Sequence, residues 1–111
     1  MKANVRQIGK VTVVDLNGKI TIGSGDVVLR ETVQRLFDEG TKNIVLNLGG
    51  VSYMDSAGIG ELVACHKRAL EKNGHLKLLN PSGKVYDLLM LTKLDDVFET
   101  FKDEKEALVS F

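Results

Sequence analysis

Residues 44–62 hold the stretch on which the fold turns: Ile44-Val45-Leu46-Asn47-Leu48, a Gly49-Gly50 pair, then Val51-Ser52-Tyr53-Met54-Asp55-Ser56-Ala57-Gly58-Ile59-Gly60-Glu61-Leu62. The first five residues are almost continuously apolar, as in a short strand covered on both faces. A run this short is also compatible with a buried helix, so its neighbours decide. Before it, beginning at Asp26, the residues Leu29, Val33, Leu36 and Phe37 recur at helical spacing and Gly40 follows as a stop, which predicts an amphipathic helix. Downstream, Ile59, Leu62, Val63, Ala69 and Leu70 predict a second helix to about Asn73, closed by Gly74. A short apolar run between two helices reads as a central strand.

Working outward, Val5 and Ile8 precede a Gly9-Lys10 step, and Val11, Val13, Val14 and Leu16 follow it, so the first residues read as a β-hairpin ending near Ile20. After the second helix, Leu76, Leu78 and Leu79 predict another strand. Ser82 opens a third helical stretch through Val85, Leu88 and Leu89. Leu94, Val97, Phe98 and Phe101 mark a short final structure, and Asp103 with Glu106 resembles the capping box of a last helix running to Val109.

No repeat, low-complexity tract or linker interrupts this order, and Pro81 is the only proline. One domain is expected over residues 1–111: an α/β fold with a mixed, mostly parallel sheet, an N-terminal β-hairpin and helices packed on the sheet. Right-handed crossovers put the strand-to-helix loops on one edge. The expected loops are Thr21 to Asp26, Gly49 to Ser56 and Asn80 to Gly83, which would gather Ser24, Ser52, Asp55, Ser56 and Ser82.

Composition narrows the function classes. The 15 Lys and Arg residues balance the 15 Asp and Glu residues, no basic block appears and aromatics are 5% of the chain. No direct nucleic-acid partner is expected from such a surface. There is no apolar run of membrane-spanning length and no secretory h-region after Met1 and Lys2, so the expectation is a cytoplasmic protein without a membrane partner. Cys65 is the only cysteine, which excludes an internal disulfide. Its apolar neighbours at helical spacing, Leu62 and Ala69, read as core. Neither a metal nor a cofactor is expected.

The segment after the central strand invites two chemical readings. As a nucleophile, Ser56 lacks the Gly-x-Ser-x-Gly elbow, because Met54 stands where the first glycine belongs. His66 lies about 15 Å further along the same helix at 1.5 Å per residue, and His75 has no local link to Ser56, so no base is supplied and no enzyme is expected. As a modification site the serine fits better. A hydroxyl at a helix start is exposed, and the free amides and dipole there tolerate an added phosphate. Gly58 and Gly60 cost helix propensity, for which close approach by a partner is one reason. Gly23-Ser24-Gly25 reads as a tight turn before Asp26 as helix cap in preference to an anion-binding nest, since no P-loop ending follows.

Tyr53-Met54-Asp55-Ser56-Ala57-Gly58-Ile59-Gly60 resembles the signature of the STAS-domain anti-sigma factor antagonists, and element order and length match over nearly the whole chain. The resemblance implies that Ser56 is phosphorylated by an anti-sigma factor that is itself an ATP-dependent serine kinase, and that a serine phosphatase reverses this. The unphosphorylated form would bind the anti-sigma factor and free the sigma factor. The implied partner surface is Thr21, Ser24, Asp55, Ser56, Ala57, Gly58 and Gly60. Thr21 follows Gly18-Lys19-Ile20 where the family often carries an acidic residue. The alternative is a STAS interaction or ligand-binding subunit of a signalling or transport complex, without phosphorylation.

Overall fold

In the computed structural model, which describes all residues from Met1 to Phe111, the chain doubles back at Gly9-Lys10 and pairs β1 (Lys2–Ile8) antiparallel with β2 (Val11–Ile20). Gly9 takes φ +60° at this step, a conformation that glycine adopts without strain. The elements that follow are α1 (Gly25–Asp38), β3 (Asn43–Met54), α2 (Ser56–Glu71), β4 (His75–Leu79), α3 (Gly83–Leu91), a 3₁₀ turn (Leu94–Asp96), β5 (Thr100–Phe101) and α4 (Glu104–Val109). The sheet order is β1-β2-β3-β4-β5, and every pair after the first is parallel.

Strands that succeed one another in sequence order, joined by right-handed crossovers, put their connecting helices on the same face. The packing agrees. Val14, Leu16, Ile44, Leu46 and Leu78 belong to one buried cluster with Leu29, Val33 and Leu36 of α1, Leu62 and Cys65 of α2, and Val85 and Leu89 of α3. Alternate residues of the same strands, Val11, Val13, Val45 and Leu79, form a smaller cluster on the opposite face with Ala107 of α4. Both faces of β3 are therefore covered, which is why Ile44 to Leu48 is so continuously apolar. Leu46 is fully buried, and truncating such a residue to alanine costs about 2–5 kcal/mol.

Several boundaries differ from the sequence expectation, each for a physical reason. Gly49-Gly50 does not end the central strand; β3 runs on to Met54. The β2–β3 register shifts between Asp15 and Asn17 and again between Gly18 and Lys19, as at β-bulges. A Cβ on Gly50 would collide with the Asn17 side chain and the Leu16 carbonyl, so glycine here serves close strand approach and not a turn. The expected loop from Gly49 to Ser56 shrinks to Asp55 alone.

Helix α1 starts at Gly25 with Ser24 in the N-cap position, and Asp26 lies within the first turn, bonding the Val27 N–H instead of capping. Helix α2 ends at Glu71, and Asn73 supplies the left-handed residue (φ 56°). Gly74 is needed because a Cβ would strike the Lys42 carbonyl. The short final structure resolves into the 3₁₀ turn and β5, which is held to β4 by Leu78 N–H to the Glu99 carbonyl (2.9 Å) and Asn80 N–H to the Phe101 carbonyl (2.6 Å).

Candidate functional site

Asp55 is the single residue between β3 and α2, and it does three things at once. Its extended backbone places the carboxylate over the first turn of α2, where Oδ1 accepts the Gly58 N–H at 2.9 Å as an N-cap. Its Oδ2 accepts the Ile22 N–H, also at 2.9 Å, from the loop joining β2 to α1. Its own N–H donates to the Ile20 carbonyl at 3.4 Å. These bonds hold the Asp55 carboxyl below the usual carboxylate range, the Ile22 amide being the larger cause and the Gly58 amide the next. The residue is a charged bracket between two loops.

The bracketed loop is itself closed. The Thr21 carbonyl accepts from the N–H groups of Ser24 (3.4 Å) and Asp26 (3.2 Å), and the Thr21 and Ser24 hydroxyl oxygens lie 3.4 Å apart. Ile22 stands at the tip with 75% of its surface exposed. Ser56, the first residue of α2, is exposed beside Asp55, and Ala57 is half-buried. Thr21, Ser24, Asp55 and Ser56 are thus brought together, with Ile22 added. No sequence pattern pointed to Ile22, because a single apolar residue between strand and helix has no period.

Below this surface the glycines are packed from inside. A Cβ on Gly25 would collide with the Lys19 carbonyl, and one on Gly58 with the Ile20 carbonyl. Both helix starts press directly on the end of β2. The expectation that a partner's approach selects Gly58 is thereby corrected: the chain's own backbone does. Gly60 is exposed, with nothing within 4 Å of its Cβ position.

Ser52 and Ser82 do not join the group. Ser52 is a β3 residue whose hydroxyl faces the Gly18 carbonyl at 3.4 Å. Ser82 donates its hydroxyl to the Val51 carbonyl at 2.6 Å, tying the start of α3 to β3. Both line a shallow depression with Gly49, Gly50 and Lys84. A larger cleft, of about 590 Å³, lies between the Asn80-Pro81 turn and Lys102. Only two of its eight lining residues are apolar, and none comes from residues 21–24 or 55–56.

Cys65 is fully buried in the main core, and burial first, then the charge of Glu61, pushes its thiol up to about 12. It remains a protonated core residue. His66 stands edge-on to Phe98 with ring centroids 5.1 Å apart. Its Nδ1 is buried without a hydrogen-bond partner. No helix is long and apolar enough to cross a membrane.

Compared with known protein families, residues 2–107 match the STAS domain. The chain belongs to the STAS domain family. Among relatives of this STAS domain, the anti-sigma-B factor antagonist of Bacillus subtilis is 33% identical over 99 residues, which are 89% of each chain. Two solved structures share the fold. The anti-sigma factor antagonist SpoIIAA in its unphosphorylated form superposes with a TM-score of 0.71 at 22% identity, covering 96% of this chain and 94% of that one. The Bacillus cell fate determinant SpoIIAA in its phosphorylated form gives 0.75 at 21% identity, with 96% of each chain covered.

Proposed function

We propose that this STAS domain is an anti-sigma factor antagonist that binds an anti-sigma factor when Ser56 is unmodified and releases it when Ser56 is phosphorylated. The observation that carries the reading is the exposed Ser56 at the first residue of α2, flanked by the Asp55 bracket and the Thr21–Ser24 loop. Relatives named as anti-sigma factor antagonists support the role, and the existence of SpoIIAA in phosphorylated and unphosphorylated forms supports the modification. The kinase is the anti-sigma factor itself, and a serine phosphatase resets the switch. Within this reading the protein is a substrate and not an enzyme, and it acts in the cytoplasm.

The chemistry needs no refolding. A phosphate brings about 1.5 to 2 negative charges to a position next to the Asp55 carboxylate. The helix start tolerates that charge in the free protein. A partner surface that accepts Asp55 and a neutral serine meets instead a bulky dianion, and unfavourable charge placement at an interface costs several kcal/mol. About 2.8 kcal/mol suffices for a 100-fold loss of affinity. Thr21, Ser24 and Ile22, held rigidly by their own hydrogen bonds, supply adjoining contacts of low ordering cost.

The test is direct. Incubation of the purified protein with ATP and a lysate of its native host, followed by mass mapping with Ser56→Ala as control, is expected to place one phosphate on Ser56. Ser56→Ala is expected to retain anti-sigma factor in the presence of ATP, and Ser56→Asp to bind it more weakly. Equal binding by wild type, Ser56→Ala and Ser56→Asp sinks the switch.

A further inference from the structure

We propose that α4, with the residues that follow it, is a releasable latch that opens as a unit from the sheet face opposite α1–α3 while the rest of the domain stays folded. Little apolar packing holds it. At six residues, α4 is too short to be stable alone. Ala107 is its one fully buried side chain, with Leu108 and the neighbouring Phe101 partly buried against the cluster of Val11, Val13, Val45 and Leu79. The remaining attachments are polar ties to two basic residues of the sheet, Arg6 and Lys77, and an edge-on contact of the Phe111 ring with His75 of β4, centroids 6.4 Å apart.

Arg6 on β1 bonds Glu104 at the start of α4, Nη2 to Oε1 at 2.6 Å, while its Nε bonds Asp15 on β2 at 2.6 Å. Lys77 on β4 reaches the other end of the helix, donating to the Ser110 carbonyl at 2.8 Å and to the Ser110 hydroxyl at 3.0 Å. Its ammonium also pairs with Glu99 at 3.1 Å and lies 4.4 Å from the centroid of the Phe111 ring. A cation at a helix C-terminus satisfies end carbonyls and complements the dipole.

The identity of residue 77 is the informative point. Lys77 pairs with Val45 on β3, in the middle of the smaller apolar cluster, and only 9% of its side chain is exposed. A face that was never uncovered would bury an apolar residue here at lower cost, since burying a charge is expensive even when paired. A lysine serves both states: it pins Ser110 when the helix is down, and it takes up water and keeps the bare strands soluble when the helix lifts. Arg6 likewise keeps Asp15 as a partner after Glu104 departs, and Asp15 keeps the Asn47 amide at 2.7 Å. Opening leaves no side-chain charge of the sheet stranded in an apolar environment.

Amide hydrogen exchange of the intact chain, read by mass spectrometry, tests this. Residues 104–110 are expected to exchange about 100-fold or more faster than the core of α2, through an opening that leaves α1–α3 protected. Lys77→Ala is expected to accelerate α4 a further tenfold or so, and Glu104→Ala a few-fold, each without changing α2. An Ala107→Cys variant adds a second readout, because its thiol is expected to react long before the buried Cys65 does. Exchange of α4 at the rate of α2 in the wild type overturns the latch. Fast exchange of α4 that neither Lys77→Ala nor Glu104→Ala alters overturns its assignment to these contacts.

Discussion

Helices α2 and α4 begin in the same way and are held in opposite ways. Each is preceded by an aspartate whose side chain accepts the N–H three residues on: Asp55 from Gly58 at 2.9 Å, Asp103 from Glu106 at 3.3 Å. Behind Asp55 stands a helix of 16 residues with Leu62, Cys65 and Ala69 in the main core and Gly58 pressed on the β2 backbone. Behind Asp103 stand six residues, one buried alanine and two basic side chains reaching across from the sheet. The cap sets where a helix starts; the packing behind it sets whether the start is rigid. Ser56, the modification site proposed above, sits on the more firmly packed of the two.

The largest effect that would break this contrast is Gly58→Ala. The added methyl meets the Ile20 carbonyl, which is main chain at the end of a central strand and cannot swing aside. Overpacking of this kind costs about 1–3 kcal/mol and occasionally more, and here the upper end is expected in urea denaturation. The matching change on the other helix, Glu104→Ala, removes a half-exposed ion pair and is expected to cost at most about 1 kcal/mol in the same measurement. If the two costs come out alike, α2 is not the more firmly seated helix. Next in size is Ser56→Asp, expected to weaken anti-sigma factor binding up to about 100-fold in titration calorimetry while leaving the urea midpoint unchanged.

The same contrast explains what could be read in the sequence. Helices with a sustained period, α1 and α2, were visible from Leu29, Val33 and Leu36 and from Ile59 and Leu62, because a buried stripe repeats every turn. The strands flanking them were visible from their β-branched and leucine runs. The extent of β3 was hidden, since Gly49-Gly50 carries the local signature of a turn, and only the Asn17 side chain and Leu16 carbonyl on the partner strand reveal why glycine is needed. Strand β5 is only two residues long, defined by its pairing with Leu78 and Leu79 of β4, and leaves no pattern of its own. At the site, Asp55 and Ser56 were legible as a helix start, but the tie from Asp55 to Ile22 links residues 33 positions apart and belongs to the fold alone.

A smaller change sharpens the role of that tie. Asn caps helices as well as Asp does, so Asp55→Asn can keep an oxygen on the Gly58 N–H while presenting an NH₂ group to the Ile22 N–H. The Ile22 amide is then expected to exchange faster while α2 stays protected. Acid makes the same cut in the wild type. The folded Asp55 carboxyl lies below its ordinary value of 3.8, so the folded state binds its proton less tightly than the unfolded chain. The stability it lends is present above that value and fades as pH falls through the lower folded one. Asp15 is also depressed, chiefly by Arg6, so Asp55→Asn is expected to lessen the acid sensitivity of folding without abolishing it. Unchanged acid sensitivity in that variant removes Asp55 from the account.

Gly60→Ala gives the finest test, because it separates what the domain needs from what a partner needs. Gly60 lies two positions beyond Gly58 in the same helix, yet its Cβ position is open. Replacing a helical glycine by alanine where nothing obstructs it stabilises a protein by about 0.4–1 kcal/mol, largely by restricting the unfolded chain. Stability therefore favours alanine at this position, and glycine there is a cost the fold alone does not explain. A partner lying close over the first turns of α2 would explain it. The expected result is a small rise in the urea midpoint together with weaker anti-sigma factor binding. A rise in stability with binding intact would confine the interface to Asp55, Ser56 and the Thr21–Ser24 loop, and would leave the flank of α2 at Gly60 outside it.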